Sequence, residues 1–206
     1  MGLRTRIMEV PLVYDWFQHG FGRPGTRDWF ADQVLQPRPG QRILDIGCGT
    51  ATVIKHLSEC NYVGIDHNPE YINKARKNFG TRGEFHCIDI NDAKFKEFGT
   101  FDTVLLLGVL HHLNDDEVKQ LVKAIPAVLK PSGMLVTMDP ALVKRQHPIA
   151  RLLAKLDRGR YVRSPKQYRS LIEPTFTVQE EIIRHDLLKV PYTHAIYKFC
   201  KTTLTA

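Results

Sequence analysis

No apolar run in this chain approaches the roughly 20 residues that span a bilayer, and the longest, 104–110, has the length of a buried strand. Basic Arg4 and Arg6 are not followed by an apolar stretch ending in small residues, so no secretory signal is expected, and Gly2 reads as an ordinary residue rather than a lipid attachment point. Cysteine is scarce. The four, at 48, 60, 87 and 200, show no C-x-x-C spacing and no histidine-rich neighbourhood of the zinc type, so no metal site is expected. Reduced, mostly buried thiols point to the cytoplasm. Repeats and low-complexity tracts are missing too, and no linker divides the chain.

What is present suits one folded domain: 206 residues, 43% of them hydrophobic and 25% charged, enough to bury a continuous core. Acid is nearly missing from one segment. Between Lys144 and Arg169 nine basic residues face a single acid, Asp157, which gives that stretch +8 of a total of +7 and leaves the rest at −1. Basic character is therefore local.

From residue 41 onward, short β-branched runs alternate with helical patterns, the signature of βαβ units. Strands are expected near 42–46, 61–65, 84–88, 102–107 and 133–138, with helices starting near Ala51, Pro69 and Asp115 and a short one near Ala93. Asn68 before Pro69 makes a helix entry, and Asn114 with Glu117 resembles a capping box. Thr26 offers a cap for an N-terminal helix that puts Trp29, Phe30 and Val34 on one face. A basic helix, a second helix over 165–172 and strands near 176–184 and 192–200 follow, the last expected to run antiparallel. The fold class is α/β, a doubly wound, mainly parallel seven-stranded sheet in one domain. Its parts are an N-terminal helical cover (1–40), a ligand-binding core (41–140), a basic helical insertion or lid (141–174) and closing strands (175–206).

Residues 43–51 run from a strand through Asp45, Gly47, Cys48 and Gly49 into a helix, a turn that brings backbone close to a ligand. Two details argue against a dinucleotide. Thr52 occupies the third small position of G-x-G-x-x-G, and Asp45 would gain nothing from a pyrophosphate. An acid there suits a cation, and S-adenosylmethionine (SAM) carries an ammonium and a sulfonium. Asp66 ends the second strand 21 residues on, where a carboxylate can accept from ribose hydroxyls in either ligand.

In these motifs the sequence resembles the class I SAM-dependent methyltransferases over roughly residues 40–140. The segment 43–51 matches their first motif, with Ala51 in place of a common glycine, and Asp66 their second. Asp89 and Ile90, with Phe95, are similar to the third; 101–113, including Gly108, His111 and His112, looks like the fourth; and 129–136 is like the strand that follows. The resemblance implies SAM held by Asp45, Gly47, Cys48, Gly49, Asp66, His67, Asp89, Ile90 and Gly108. Tyr14 would belong to an N-terminal element folding over the methionine end. The change at Ala51 is expected to alter only helix packing.

His111 and His112 follow the fourth strand near the transferred methyl, where one ring can point inward and act as a general base. Near the end, Tyr192 and His194 share a face by strand periodicity, and His185 lies close in sequence. His111 and His194 are catalytic candidates, Tyr192 and Arg151 substrate-binding ones, each set against a structural or surface role. The stretch 148–156 places Ile149, Leu152, Leu153 and Leu156 on one face and Arg151 and Lys155 elsewhere. It reads as a lid over an anionic acceptor, a peripheral membrane contact, an RNA contact, or a solvated helix packed on the sheet by its leucines. The expectation is methyl transfer to O or N of a small-molecule acceptor, anionic or lipid-like, ahead of an RNA acceptor or a SAM-binding sensor or partner subunit without catalysis.

Overall fold

The computed structural model describes residues 22–90, 92–157 and 159–202. Strands β1 (Arg42–Ile46), β2 (Asn61–Asp66), β3 (Gly83–Cys87), β4 (Phe101–Leu107), β5 (Leu129–Pro140), β6 (Phe176–Arg184) and β7 (His194–Lys201) form one sheet in the order β3-β2-β1-β4-β5-β7-β6. The first five pair in parallel, while β7 runs antiparallel to both β5 and β6. The sheet is thus the expected one, with its one reversed strand wedged between two others.

Alternation along the strands divides the core. Leu44, Ile46, Val104, Leu106, Leu135, Tyr197 and Phe199 fill one face, against helices α3 (Asp115–Ala124) and α5 (Pro165–Ile172). Ile43, Leu105, Val136 and Ile196 point to the other, where α2 (Pro69–Phe79) adds Ile72, Ala75 and Phe79. Neighbouring strand residues project to opposite faces, and burying each large side chain contributes about 1.5–3 kcal/mol as an upper estimate.

Caps fix where helices begin, and hence how loops leave the sheet. Asn68 Oδ1 accepts from Glu70 N and Tyr71 N at the head of α2, and Asn114 with Glu117 completes a capping box on α3. Thr26 is different. Helix α1 (Thr26–Trp29) has Gly25 as its cap, while the Thr26 hydroxyl donates to Leu187 O at 3.2 Å; α1 then widens into a π-helical turn, Phe30–Leu35.

Two further expectations need correction. Instead of a helix after the glycine loop there is one 3-10 turn, Thr52–His56, preceded by Ala51 at φ 57°. A left-handed alanine carries strain that glycine would not, so the residue change affects the backbone and not only packing. Helix α4 (Pro148–Lys155) meanwhile buries Ala150 and Ala154, leaving Ile149, Leu152 and Leu156 51–69% exposed. Leu152 and Leu156 therefore do not pack on the sheet, while Ala150 and Ala154 face inward and Leu153 is half-buried. Among the described residues no helix is long and apolar enough to cross a membrane.

Candidate active site

Strand order reverses between β1 and β4, and a parallel sheet opens a ligand crevice beyond the strand ends at such a point. There β1 gives way to Gly47 at φ 75° and Gly49 at φ 54°. Gly47 N and Cys48 N both donate to Ile65 O, at 2.8 and 3.0 Å, which fastens the loop to β2. A Cβ at Gly47 would lie 2.6 Å from Val109 Cγ2, so a side chain is barred by contact as well as by dihedral.

Asp45 is 2% exposed. Tyr62 donates its hydroxyl to Oδ2 at 2.5 Å, while Oδ1 is buried without a hydrogen-bond partner. Burial pushes the carboxyl up to about 7, against the Tyr62 bond and with the nearby charge of Asp66. Leaving a buried acceptor unpaired costs about 1–3 kcal/mol, which a cationic ligand would remove. Asp66, also buried, accepts from Gly49 N through Oδ2 at 2.9 Å and from Asn68 N through Oδ1 at 2.8 Å. It shapes the loop before any ligand arrives. A carboxylate offers about four lone-pair sites, so two sites are left for hydroxyls.

The remaining cofactor candidates frame this crevice. Exposed His67 sits with Nδ1 3.5 Å from Asp66 Oδ1, and Ile88 N donates to Asp66 O, joining the segment after β3 to the end of β2. Asp89 is exposed, Ile90 is half-buried against the core, and Gly108 ends β4 at φ 73° with its N–H donated to Met138 O at 2.7 Å. The Cys48 thiol is pushed well above its ordinary range by burial and by Asp45 and Asp66. Tyr14 lies outside the described residues.

A second cluster stands past the ends of β4 and β5. His111 points inward at 7% exposure while His112 is exposed. Asp139 Oδ1 lies 2.7 Å from His111 Nδ1 and accepts from His111 N at 3.1 Å. On the ring's other side, Nε2 is 3.5 Å from Asp157 Oδ1. Asp157 is braced in turn, accepting from Gly159 N at 2.7 Å and from the Tyr192 hydroxyl at 2.5 Å. Burial raises the Asp139 carboxyl, opposed by its bond to His111, and raises Tyr192, with Asp157 adding to the effect. His194 stacks edge-on to Tyr192 at 5.2 Å between centroids, with Nδ1 buried and unpaired. Burial, and then His111, push it down to about 4, so it is neutral at physiological pH.

The structure therefore brings His111, Tyr192 and His194 together and turns the last two inward instead of onto a hairpin surface. Strand β7 begins at His194, so Tyr192 precedes it. His185 contacts Thr193 Oγ1 at 3.0 Å, and Arg151 is exposed on α4. Sequence reading missed Asp139, Asp157 and Gly159. Two left a signal: Asp139 interrupts an apolar strand at its end, and Asp157 is the one acid of a basic stretch. Gly159 left none, yet a Cβ there would lie 1.9 Å from His111 Cδ2.

Residues 43–133 match the family model described as "Methyltransferase domain". Together with the strand order and the glycine loop, this match identifies the domain. Residues 43–133 form a methyltransferase domain similar to those of the class I SAM-dependent methyltransferases. Among curated relatives of this chain, "Uncharacterized methyltransferase YodH" of Bacillus subtilis is 33% identical over 127 residues, covering 58% of this chain and 53% of that protein. The mouse "Probable tRNA methyltransferase 9B" is 32% identical over 115 residues, covering 55% of this chain and 24% of that protein. The chain thus spans about half or less of the length of these relatives. A TehB-like SAM-dependent methyltransferase from Corynebacterium glutamicum superposes with a TM-score of 0.70 at 16% identity, covering 96% of this chain and 100% of that one. The crevice residues fit the family's cofactor: the unpaired Asp45 oxygen suits an ammonium, and the cradle at Gly47 admits no Cβ.

Proposed function

We propose that this methyltransferase moves a methyl group from SAM to an oxygen or nitrogen of a small-molecule acceptor, anionic or lipid-like, with His111 taking the acceptor's proton. One observation carries the reading: a buried histidine held between two carboxylates at the crevice. With Nδ1 donating to Asp139, the Nε2 lone pair is the site that receives a proton, and Asp157 stabilises the imidazolium that results. The 3.5 Å contact to Asp157 is loose enough for an acceptor hydroxyl to take its place beside Nε2. His194, being neutral, adds no competing positive charge and offers the acceptor a hydrogen-bonding wall.

When bound, SAM supplies a methyl carbon made electrophilic by its sulfonium. Asp45 would hold the ammonium, Asp66 the ribose hydroxyls and Asp89 the adenine amino group, as the family resemblance implies. Fixing donor and acceptor in line and excluding water then supply most of the acceleration. In this division residues 41–140 hold the donor and 141–174 face the acceptor. A cytoplasmic setting suits the four free cysteines.

A lipid-like acceptor is favoured by the outward stripe of α4. Exposed Ile149, Leu152 and Leu156 beside Arg151 and Lys155 make a basic amphipathic surface suited to an anionic membrane. RNA, suggested by the mouse relative's name, is less well served. Arg163 is buried on Asp115 and the Leu110 and Leu113 carbonyls, which removes it from phosphate contact, and the exposed Arg169 is paired with Glu173.

The test is transfer of radiolabelled methyl from SAM into a host-cell extract separated into lipid, small polar, RNA and protein fractions. Protein-dependent label in the lipid or small polar fraction is expected. Label confined to RNA or protein would overturn the acceptor class, and absence of both label and S-adenosylhomocysteine would favour a SAM-binding sensor.

A further inference from the structure

The stretch of backbone that carries His111 has little to hold it by itself. Leu110–His112 is a single 3-10 turn, closed by His112 N on Val109 O at 3.0 Å and by Leu113 N on Leu110 O at 3.3 Å. Hydrogen bonds of this type are poorly aligned, and a turn so short leaves carbonyls in need of outside donors. Three of those carbonyls find donors on one later segment. Arg163 Nη1 donates to Leu110 O and Nη2 to Leu113 O, each at 2.8 Å, and Tyr161 N donates to His111 O at 3.0 Å.

Arg163 is anchored at its other end as well. Its carbonyl accepts from Leu142 N at 3.0 Å, and its N–H donates to the Tyr168 hydroxyl at 3.3 Å, which itself donates to Pro140 O at 3.0 Å. Both bonds lead to the end of β5, where Asp139 Oδ1 meets His111 N and Nδ1. The backbone of Arg163 is thus tied to Asp139's strand while its side chain grips His111's turn. One residue joins the two members of the pair.

A guanidinium has five N–H donors, and all five are engaged: Nε and Nη2 also donate to Asp115 Oδ1, at 3.0 and 2.6 Å, and Nη1 also donates to Tyr161 O at 3.0 Å. Arg163 is 7% exposed and has no donor to spare for a ligand. Exchanging a buried ion pair for apolar side chains is often neutral or stabilising, so stability alone does not call for an arginine here. What an apolar side chain cannot do is fix two carbonyls with a rigid planar fork. Resting on the reading of His111 as the base, we infer that Arg163 is a positioning residue for methyl transfer: by holding the Leu110 and Leu113 carbonyls it keeps His111 Nδ1 on Asp139 and leaves Nε2 to the acceptor.

The experiment is nitrogen NMR of the His111 ring in the full chain, labelled at histidine, saturated with S-adenosylhomocysteine in mildly alkaline buffer and assigned by the signals lost in His111→Gln. The parent is expected to show a protonated Nδ1 and a bare Nε2. Arg163→Lys keeps a charge beside Asp115, but one ammonium cannot serve both carbonyls as the fork does, and the ring signals should move toward a mixture of tautomers. Arg163→Gln should do the same while burying no charge, so the two variants do not share a folding liability. Asp115→Asn, at an exposed position, leaves the grip on the carbonyls and should show the parental ring. Methyl transfer into the extract fraction that takes label should fall roughly 10²-fold in both Arg163 variants, with S-adenosylhomocysteine affinity by calorimetry unchanged. Parental ring signals in a folded Arg163 variant, equal displacement in Asp115→Asn, transfer at the parental rate, or loss of the fold in both Arg163 variants would overturn the inference. A parental ring without the expected tautomer would overturn the base reading itself, whatever the Arg163 variants do.

Discussion

At the scale of single residues, the donor crevice is marked by one orphaned oxygen. Asp45 titrates near 7 in the folded protein because burial disfavours its charge, whereas in an unfolded chain it titrates near 3.8. With the folded value raised, its contribution to stability is fully present below about pH 4 and is lost as pH rises through about 7. A ligand ammonium reverses the preference by holding the carboxylate ionised. Binding of SAM or S-adenosylhomocysteine at pH 7 should therefore release about half a proton from Asp45. Calorimetry in two buffers of different ionisation enthalpy measures that number, and Asp45→Asn should abolish it. Equal proton release in parent and variant would show that another group titrates. Asp66 answers differently. Since it accepts from Gly49 N and Asn68 N, its replacement by alanine loosens the loop as well as removing a ribose contact.

At the scale of elements, what could be read from sequence followed from short-range chemistry. Caps at Asn68 and Asn114 and the short apolar runs of β1 and β4 depend on neighbours a few residues away, and the structure bears them out. The orientation of α4 does not depend on neighbours. Its apolar residues include small and large ones, and only contact with the fold reveals that Ala150 and Ala154 are the ones buried. The same holds for the pairing of His111 with Asp139 and Asp157, which lie 28 and 46 positions away and meet only once β5 and α4 are in place. The cofactor candidates could be picked out in sequence because they sit in one local turn and at strand ends, whereas Asp139, Asp157 and Gly159, which surround the candidate His111, could not because they reach it from distant segments. For α4 the exposed stripe leads to a prediction. Leu152→Ser with Leu156→Ser should change folding stability by less than about 1 kcal/mol in thermal unfolding, since both side chains face solvent. The same double variant should lose most of its co-sedimentation with phosphatidylglycerol vesicles. Undiminished vesicle binding would detach α4 from any membrane role.

Across the whole molecule, the strand ends bring two neighbourhoods to one side of the sheet. Buried acids at Asp45 and Asp66 face the side expected to take a cationic donor, and past β4 the carboxylates of Asp139 and Asp157 flank His111. Between them stands a histidine positioned to take a proton as the methyl moves. The direct test of that account is single-turnover methyl transfer to the acceptor found by extract labelling, comparing the parent with His111→Gln, with SAM affinity measured on the same preparations. The account predicts a loss of about 10²–10⁴-fold in transfer with SAM affinity unchanged, as removal of a general base requires. Transfer at the parental rate by His111→Gln would contradict it.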